Sequence, residues 1–262
     1  MDSKIPPPLH SSVRPPCAVP CPHLLVRRLA VGLAAACLAG VTAGSAAAAG
    51  VPTRVRATQQ LAVLLTAHAA HREPEAGSPQ TELVPSRRPI TGEQTTLPVT
   101  GSLTGPDGVR WLQVMLPGRP NSSTGWIAQN GTRKLVTGWH IVVNLAARQV
   151  RVYGDAHLAR TLQAVVGQPS TPTPTGEFFV EESLRMPSGE AGGPFALALS
   201  ARSNALQEFE GGPGQVAMHG RNNLGGTLGT AASHGCIRLD TAGIDWLAAR
   251  IGPGTPVTIY GG

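Results

Sequence analysis

Gln215-Val-Ala-Met-His219-Gly220-Arg-Asn-Asn223, then a glycine-rich stretch, then Ser233-His234-Gly235-Cys236-Ile237-Arg238-Leu239-Asp240, is the segment on which this chain turns. Two histidines and one cysteine fall within it, joined by a loop able to fold back on itself. An ordinary cysteine thiol is mostly protonated at neutral pH, with a pKa of ~8.5, so a nucleophilic cysteine needs a base or an electrostatic partner. A thiol beside an imidazole is the minimum apparatus for acyl transfer through a thioester. His219 falls at the end of a predicted strand, where a side chain has little freedom, and Gly220 permits a tight turn and close backbone approach.

The remaining residues of the segment suit supporting roles. Ser233, His234 and Gly235 lead into Cys236 at a turn, where consecutive backbone N–H groups could face a developing oxyanion. His234 could also touch substrate, and His219 is preferred as the base. Arg238, two residues past the thiol on an extended stretch, projects to the same side as Cys236. It suits a substrate carboxylate through a bidentate, charge-assisted pair, or a structural pair with Asp240 or Asp245. His219, His234 and Cys236 are all possible zinc ligands. No fourth ligand stands nearby and His-x-Cys is not a usual ligand pair, so neither a metal nor a cofactor is expected.

Composition bounds the class. The 262 residues include 32 Gly and 24 Pro with only 4% aromatics, which suits turn-rich β structure. Residues 1–138 carry 13 Lys/Arg against 6 Asp/Glu, whereas 139–262 carry 8 against 9. The half that holds the cysteine is therefore not basic, which argues against nucleic-acid binding. The basic first half suits an anionic envelope polymer or membrane surface, or simply solvated charge.

Arg27-Arg28, an uncharged apolar run over 29–41 and the small residues 43–49 have the pattern of a secretory signal peptide. Residues 1–49 are read as a signal peptide or an amino-terminal anchor with a Pro-rich extension; cleavage, retention, lipidation near Cys37 and the true start codon stay open. Export is expected, to the cell wall or the outer face of the cytoplasmic membrane, with membrane contact only through an uncleaved anchor. Cys17, Cys21 and Cys37 lie in or before this leader, leaving Cys236 alone in the remainder and excluding a disulfide framework.

Two β-rich units are expected beyond the leader. Short strands are predicted at 61–66, 95–99, 111–116 and from 126, with short segments near 87–92, and the spacing suggests a small barrel. Residues 50–80 could equally be a linker. In the second unit, strands are predicted over 140–145, 149–153, 162–166, from 178, and over 194–200, 215–218 and 256–260. Pro169, Pro172 and Pro174 make 167–176 a rigid loop. Residues 241–251 read as a helix with Ile244, Leu247, Ala248 and Ile251 on one face.

Pro172-Thr-Pro-Thr-Gly-Glu-Phe178, Pro194-Phe-Ala-Leu-Ala-Leu-Ser200, Met218-His219-Gly220 and Ser233-His-Gly-Cys-Ile-Arg-Leu239 closely resemble the YkuD family of L,D-transpeptidases, over roughly 137–262. Trp111-Leu-Gln-Val-Met-Leu-Pro117 and Gly125-Trp-Ile127 look like the SH3-like module that often precedes that domain. The resemblance implies a mainly β fold: a small SH3-like barrel over 59–134, then a β-rich catalytic domain over 137–262 with one or two short helices. It implies Cys236 as nucleophile, His219 as base, and the carbonyl of residue 220 as its orienter. It also implies peptidoglycan stem peptides as donor and acceptor, release of D-Ala, and carbapenem-type inhibitors. Alternatives kept open are L,D-carboxypeptidase action, attachment of a protein or other amine to the wall, and a non-catalytic wall-binding protein. The loop of residues 220–232 is shorter than in some members and Arg238 stands where others carry Asn, so the acceptor is left open.

Overall fold

A computed structural model describes residues 55–208 and 212–261; the expected leader lies outside them. The first half forms one seven-stranded sheet from β1 (Gln59–Leu64), β2 (His68–His71), β3 (Gln80–Val84), β4 (Thr96–Thr104), β5 (Arg110–Met115), β6 (Thr124–Ala128) and β7 (Thr132–Thr137). Its order is β3-β2-β6-β5-β4-β1-β7. The buried cluster beneath it holds Leu64, Leu97, Val114 and Ile127. Residues 68–71, inside the 50–80 stretch that could have been a linker, pair antiparallel with 80–84, and the short segment at 87–92 holds a turn.

The second half contains β8 (Trp139–Asn144), β9 (Gln149–Gly154), β10 (His157–Gln163), β11 (Val166–Gly167), β12 (Gly176–Arg185), β13 (Phe195–Arg202), β14 (Gln215–His219), β15 (Ala231–Ser233), β16 (Ile237–Arg238), α1 (Thr241–Ala248) and β17 (Pro256–Tyr260). An eight-stranded sheet runs β10-β9-β8-β17-β12-β13-β14-β16, and β11 pairs with β15 beside it. The fold is mainly β with one helix among the described residues. Period-two alternation sends Ile141, Val143, Val150, Val152, Leu197, Leu199, Val216, Met218, Ile237 and Leu239 into one core, under Ile244, Leu247 and Ile251 of α1 and the turn after it. Asp240 caps α1, its Oδ1 accepting from Gly243 N at 2.7 Å.

The other face of this sheet meets the first sheet. Phe179 leaves its neighbours' core and joins the first sheet's cluster. A bulge between Val180 and Glu182 inserts Glu181, so two adjacent carboxylates occupy this region. Glu181 pairs with Arg88 from the first sheet and with Arg202 at 2.9 Å, all three buried. Burial draws both guanidiniums below their ordinary range. Asn121 holds Arg202 from both sides: its Oδ1 accepts from Arg202 N and its Nδ2 donates to Arg202 O, each at 2.8 Å.

A polar relay crosses the sheet at β8, β17 and β12. Thr258 Oγ1 donates to Glu177 Oε2 at 2.7 Å and stands 2.9 Å from His140 Nε2, which therefore carries the proton it donates. Burial lowers the His140 pKa to about 4. A lowered folded value means that stability from neutral His140 is complete above its unfolded pKa of ~6.5 and is lost as pH falls towards 4. That loss is on the order of 2–3 kcal/mol. Glu177 acts oppositely: burial raises its pKa, so its contribution is present at low pH and lost on raising the pH through the folded value. His140→Gln keeps a donor but not the titration. Urea denaturation at pH 6.5 and pH 4 should show the variant losing less stability on acidification than the parent, and equal losses would show that His140 is not desolvated.

Candidate active site

His219 ends β14, and Cys236 precedes β16, the parallel neighbour of β14, with Met218 opposite Ile237 and His219 opposite Arg238. Parallel strands need a crossover of a dozen or more residues, which residues 220–236 supply. Leu239 N donates to His219 O at 2.9 Å, closing the pair. Met218, Ile237 and Leu239 point into the core, so His219 and Arg238 stand on the opposite face. There His219, His234, Cys236 and Arg238 line one cavity of about 820 Å³. Ala196, opposite His219 on β13, also lines it, and its small side chain leaves the space open.

His219 Nδ1 lies 2.6 Å from the Gly220 carbonyl oxygen. A carbonyl only accepts, so Nδ1 carries the hydrogen and Nε2 is the nitrogen able to receive a proton. Gly220 is buried against the Gly193 carbonyl, and a Cβ there would collide with that oxygen. The Gly192-Gly-Pro194 stretch thus fits against the base, a contact that the sequence signals only by its paired glycines.

The turn carrying Cys236 is tied from inside. Gly235 has φ +117, a conformation side-chain-bearing residues rarely adopt. Ser233 is fully buried; its Oγ donates to Cys236 O at 2.6 Å and accepts from Gly235 N at 3.1 Å. Ser233 therefore shapes the turn from behind rather than facing a ligand, and the Gly235 N–H is turned inward with it. Thr173, from the proline-rich loop, donates to Gly235 O at 2.8 Å while accepting from Gly167 N at 2.9 Å. Sequence reasoning passed over Thr173; its only signal was its place between two prolines.

His234 is exposed at the cavity edge, and Cys236 is half-buried. Arg238 Nη1 donates to Gly225 O at 2.8 Å, so its partner is the returning loop rather than Asp240 or Asp245. Asp240 caps the helix instead. Glu190, Met186 and Leu224 also line the cavity, as does Ile90 from the first sheet. A half-buried thiol and a tautomer-fixed imidazole on neighbouring strands can carry a nucleophile and its proton.

The model of the YkuD family, the L,D-transpeptidase catalytic domain, matches residues 138–259. YkuD of Bacillus licheniformis is 30% identical over 169 residues, covering 64% of this chain and 87% of that protein. The chain belongs to the YkuD family of L,D-transpeptidases. YkuD of Bacillus subtilis is 32% identical over 121 residues, covering 46% of this chain and 65% of that protein, just under two thirds of its length. The solved L,D-transpeptidase 3 of Mycobacterium tuberculosis, in complex with a faropenem-derived adduct, aligns at a TM-score of 0.40 and 16% identity, over 80% of this chain and 96% of that one.

For this family member, Ser233 and Thr173 act as one network on the nucleophile's turn. Ser233→Ala strands a buried N–H and a buried carbonyl and should cost about 1–3 kcal/mol. Thr173→Val should cost a similar amount, and the double variant less than the sum, because both hydroxyls hold the same turn. Urea denaturation of the four proteins measures this; additive effects would separate the two hydroxyls.

Proposed function

We propose that this chain is an exported enzyme that cross-links peptidoglycan, taking a tetrapeptide stem as acyl donor and a second stem's amine as acceptor. The observation that carries it is Cys236 in one cavity with His219, whose Nδ1 is fixed on the Gly220 carbonyl. His219 Nε2 takes the thiol proton as Cys236 Sγ attacks the carbonyl preceding the terminal D-Ala. The S–C bond forms, and negative charge collects on the carbonyl oxygen. Backbone N–H groups of the 234–236 turn stabilise it, Gly235's excepted because Ser233 holds it. Collapse breaks the C–N bond, and His219 returns its proton to the departing D-Ala amine. The acceptor amine then attacks the thioester, gives a proton to His219, and expels the Cys236 thiolate, which is reprotonated. Arg238, on the same cavity, suits a carboxylate of the stem. Amine and water compete at the thioester, so transpeptidation and carboxypeptidase action share this site.

The leader-like pattern of residues 1–49 supports export. The first sheet is read as SH3-like. Its support is the run β7-β1-β4-β5-β6, in which first and last strands pair and the next three form a meander.

Purified protein incubated with a disaccharide-tetrapeptide should yield free D-Ala and a cross-linked dimer by mass spectrometry. Cys236→Ala should abolish both while staying folded, and His219→Ala should lose nearly as much, since members of one catalytic unit are strongly non-additive. D-Ala release at the parent rate by Cys236→Ala would exclude the thioester route.

A carbapenem should acylate Cys236, because a strained β-lactam carbonyl meets the same nucleophile and oxyanion donors. Intact-mass analysis should show one adduct per chain, absent in Cys236→Ala; an adduct persisting there would point to another nucleophile.

A further inference from the structure

The cavity holding Cys236 is not built by the YkuD domain alone. Ile90 of the first sheet lines it, on the turn joining β3 to β4. That turn is closed on itself: Arg88 N donates to Glu93 O at 2.8 Å, Gly92 N to Arg88 O at 3.0 Å, and Thr95 N to Ser86 O at 2.9 Å. It is then fixed to the catalytic sheet on both sides of Ile90. Before it, Arg88 pairs with Glu181. After it, Thr91 gives both its backbone N–H, at 3.0 Å, and its hydroxyl, at 2.9 Å, to Glu182 Oε2. Glu182 pairs with Ala198, two residues along β13 from the cavity residue Ala196. Ile90 itself stays 63% exposed. A large apolar residue is thus held in the open, at a set position, by two buried carboxylates.

Burying charge is a poor way to gain stability, because desolvation offsets the attraction; the better-attested use of a buried ion pair is to fix one arrangement. Here the arrangement fixed is the turn that carries Ile90. The first half of the chain also holds other residues of the cavity lining. Arg119 donates to Ser203 O at 2.7 Å, Pro213 O at 3.0 Å and Leu206 O at 3.2 Å, and all three of those residues line the cavity.

We propose that the 87–94 turn is a wall of the substrate cleft and that Ile90 is a specificity-determining residue, packing against the peptide donor away from the reacting carbonyl, with Arg88, Thr91, Glu181 and Glu182 as its positioning residues. This rests on the stem peptide being the donor, and it gives the first sheet a part in substrate choice. Ile90 contributes binding that is equal in ground and transition states, so its loss raises KM and spares kcat. Removing one partly buried apolar contact of this size is worth about tenfold.

The test uses the full chain and three variants, Ile90→Ala, Ile90→Trp and Thr91→Val. D-Ala release from the disaccharide-tetrapeptide gives kcat and KM. Alkylation of Cys236 by iodoacetamide and by fluorescein maleimide, followed by peptide mapping, gives the access of a small and a large reagent without any stem peptide. Ile90→Ala should raise KM about tenfold with kcat near the parent value. Ile90→Trp should slow the maleimide about tenfold and leave iodoacetamide within about twofold. Thr91→Val should move KM in the direction of Ile90→Ala. Parent values of KM and of maleimide rate in all three variants would overturn the proposal. Equal losses in kcat and in both alkylation rates would also overturn it, by showing damage to the fold. If the parent releases no D-Ala while Ile90→Trp still excludes the maleimide, the wall stands and the choice of donor falls.

Discussion

Two register pairs, Met218 with Ile237 and His219 with Arg238, hold the strand that ends in the imidazole beside the strand that follows the thiol. Register in a sheet is pinned by what a slip would bury. A one-residue slip of β16 would turn Ile237 and Leu239 out of the core and Arg238 into it. Burying each of those two side chains is worth about 1.5–3 kcal/mol, and an unpaired guanidinium in their place would cost more. The placement of His219 beside the turn that carries Cys236 is therefore enforced by the apolar residues that alternate with His219 and Arg238 along the two strands. Those same residues belong to the core that packs on α1.

Alignment of the strands does not by itself orient the thiol, because Cys236 lies just outside β16. That task falls to the turn. Ser233 and Thr173 satisfy Cys236 O, Gly235 N and Gly235 O from the buried side, leaving the outer side of the turn towards the cavity. Buried polar groups need partners, and here the partners are hydroxyls small enough to fit under a turn that Gly235 bends. A backbone group also holds the imidazole, since His219 Nδ1 donates to the carbonyl of the next residue.

Much of this was legible in the sequence because it is local. The His219–Gly220 and Ser233–Cys236 motifs, the alternation in β8, β9, β13 and β14, and the cap-plus-apolar pattern of α1 are each written within a few residues. What escaped was short, polar or distant. The β2 and β3 strands carry His, Gln, Thr and Glu, and their pairing is visible only when both are in place. Thr132, Arg133 and Lys134 hide β7, an edge strand whose first residues are polar and whose Leu135 and Val136 stay exposed, so no buried alternation marks it. Helix α1 stops at Ala248 rather than running to Ile251, although Ile251 keeps its place in the core from the following turn. Thr173 reaches the nucleophile's turn across 62 positions, and Thr91 reaches Glu182 across 91. A side chain meeting a backbone group at such range leaves no periodicity to read.

An ordinary strand pairing would have carried β12 past β13 with alternate residues facing the core, leaving one carboxylate in or near it. One inserted residue instead places Glu181 and Glu182 side by side at the meeting of the two sheets, within reach of Arg88, Arg202 and Thr91. Glu82 belongs to the same electrostatic neighbourhood; burial raises its pKa, and Arg88 and Arg202 pull it back down. The pair of sheets is thus locked by charges that have little solvent to relax into, around Phe179, whose ring sits in the first sheet's core. Such a lock tolerates little sliding, because any shift large enough to part Arg88 from Glu181 leaves a buried carboxylate short of a partner. Since Arg88 and Thr91 flank Ile90 on one short turn, the rigidity of the lock becomes the rigidity of one wall of the cavity that holds Cys236.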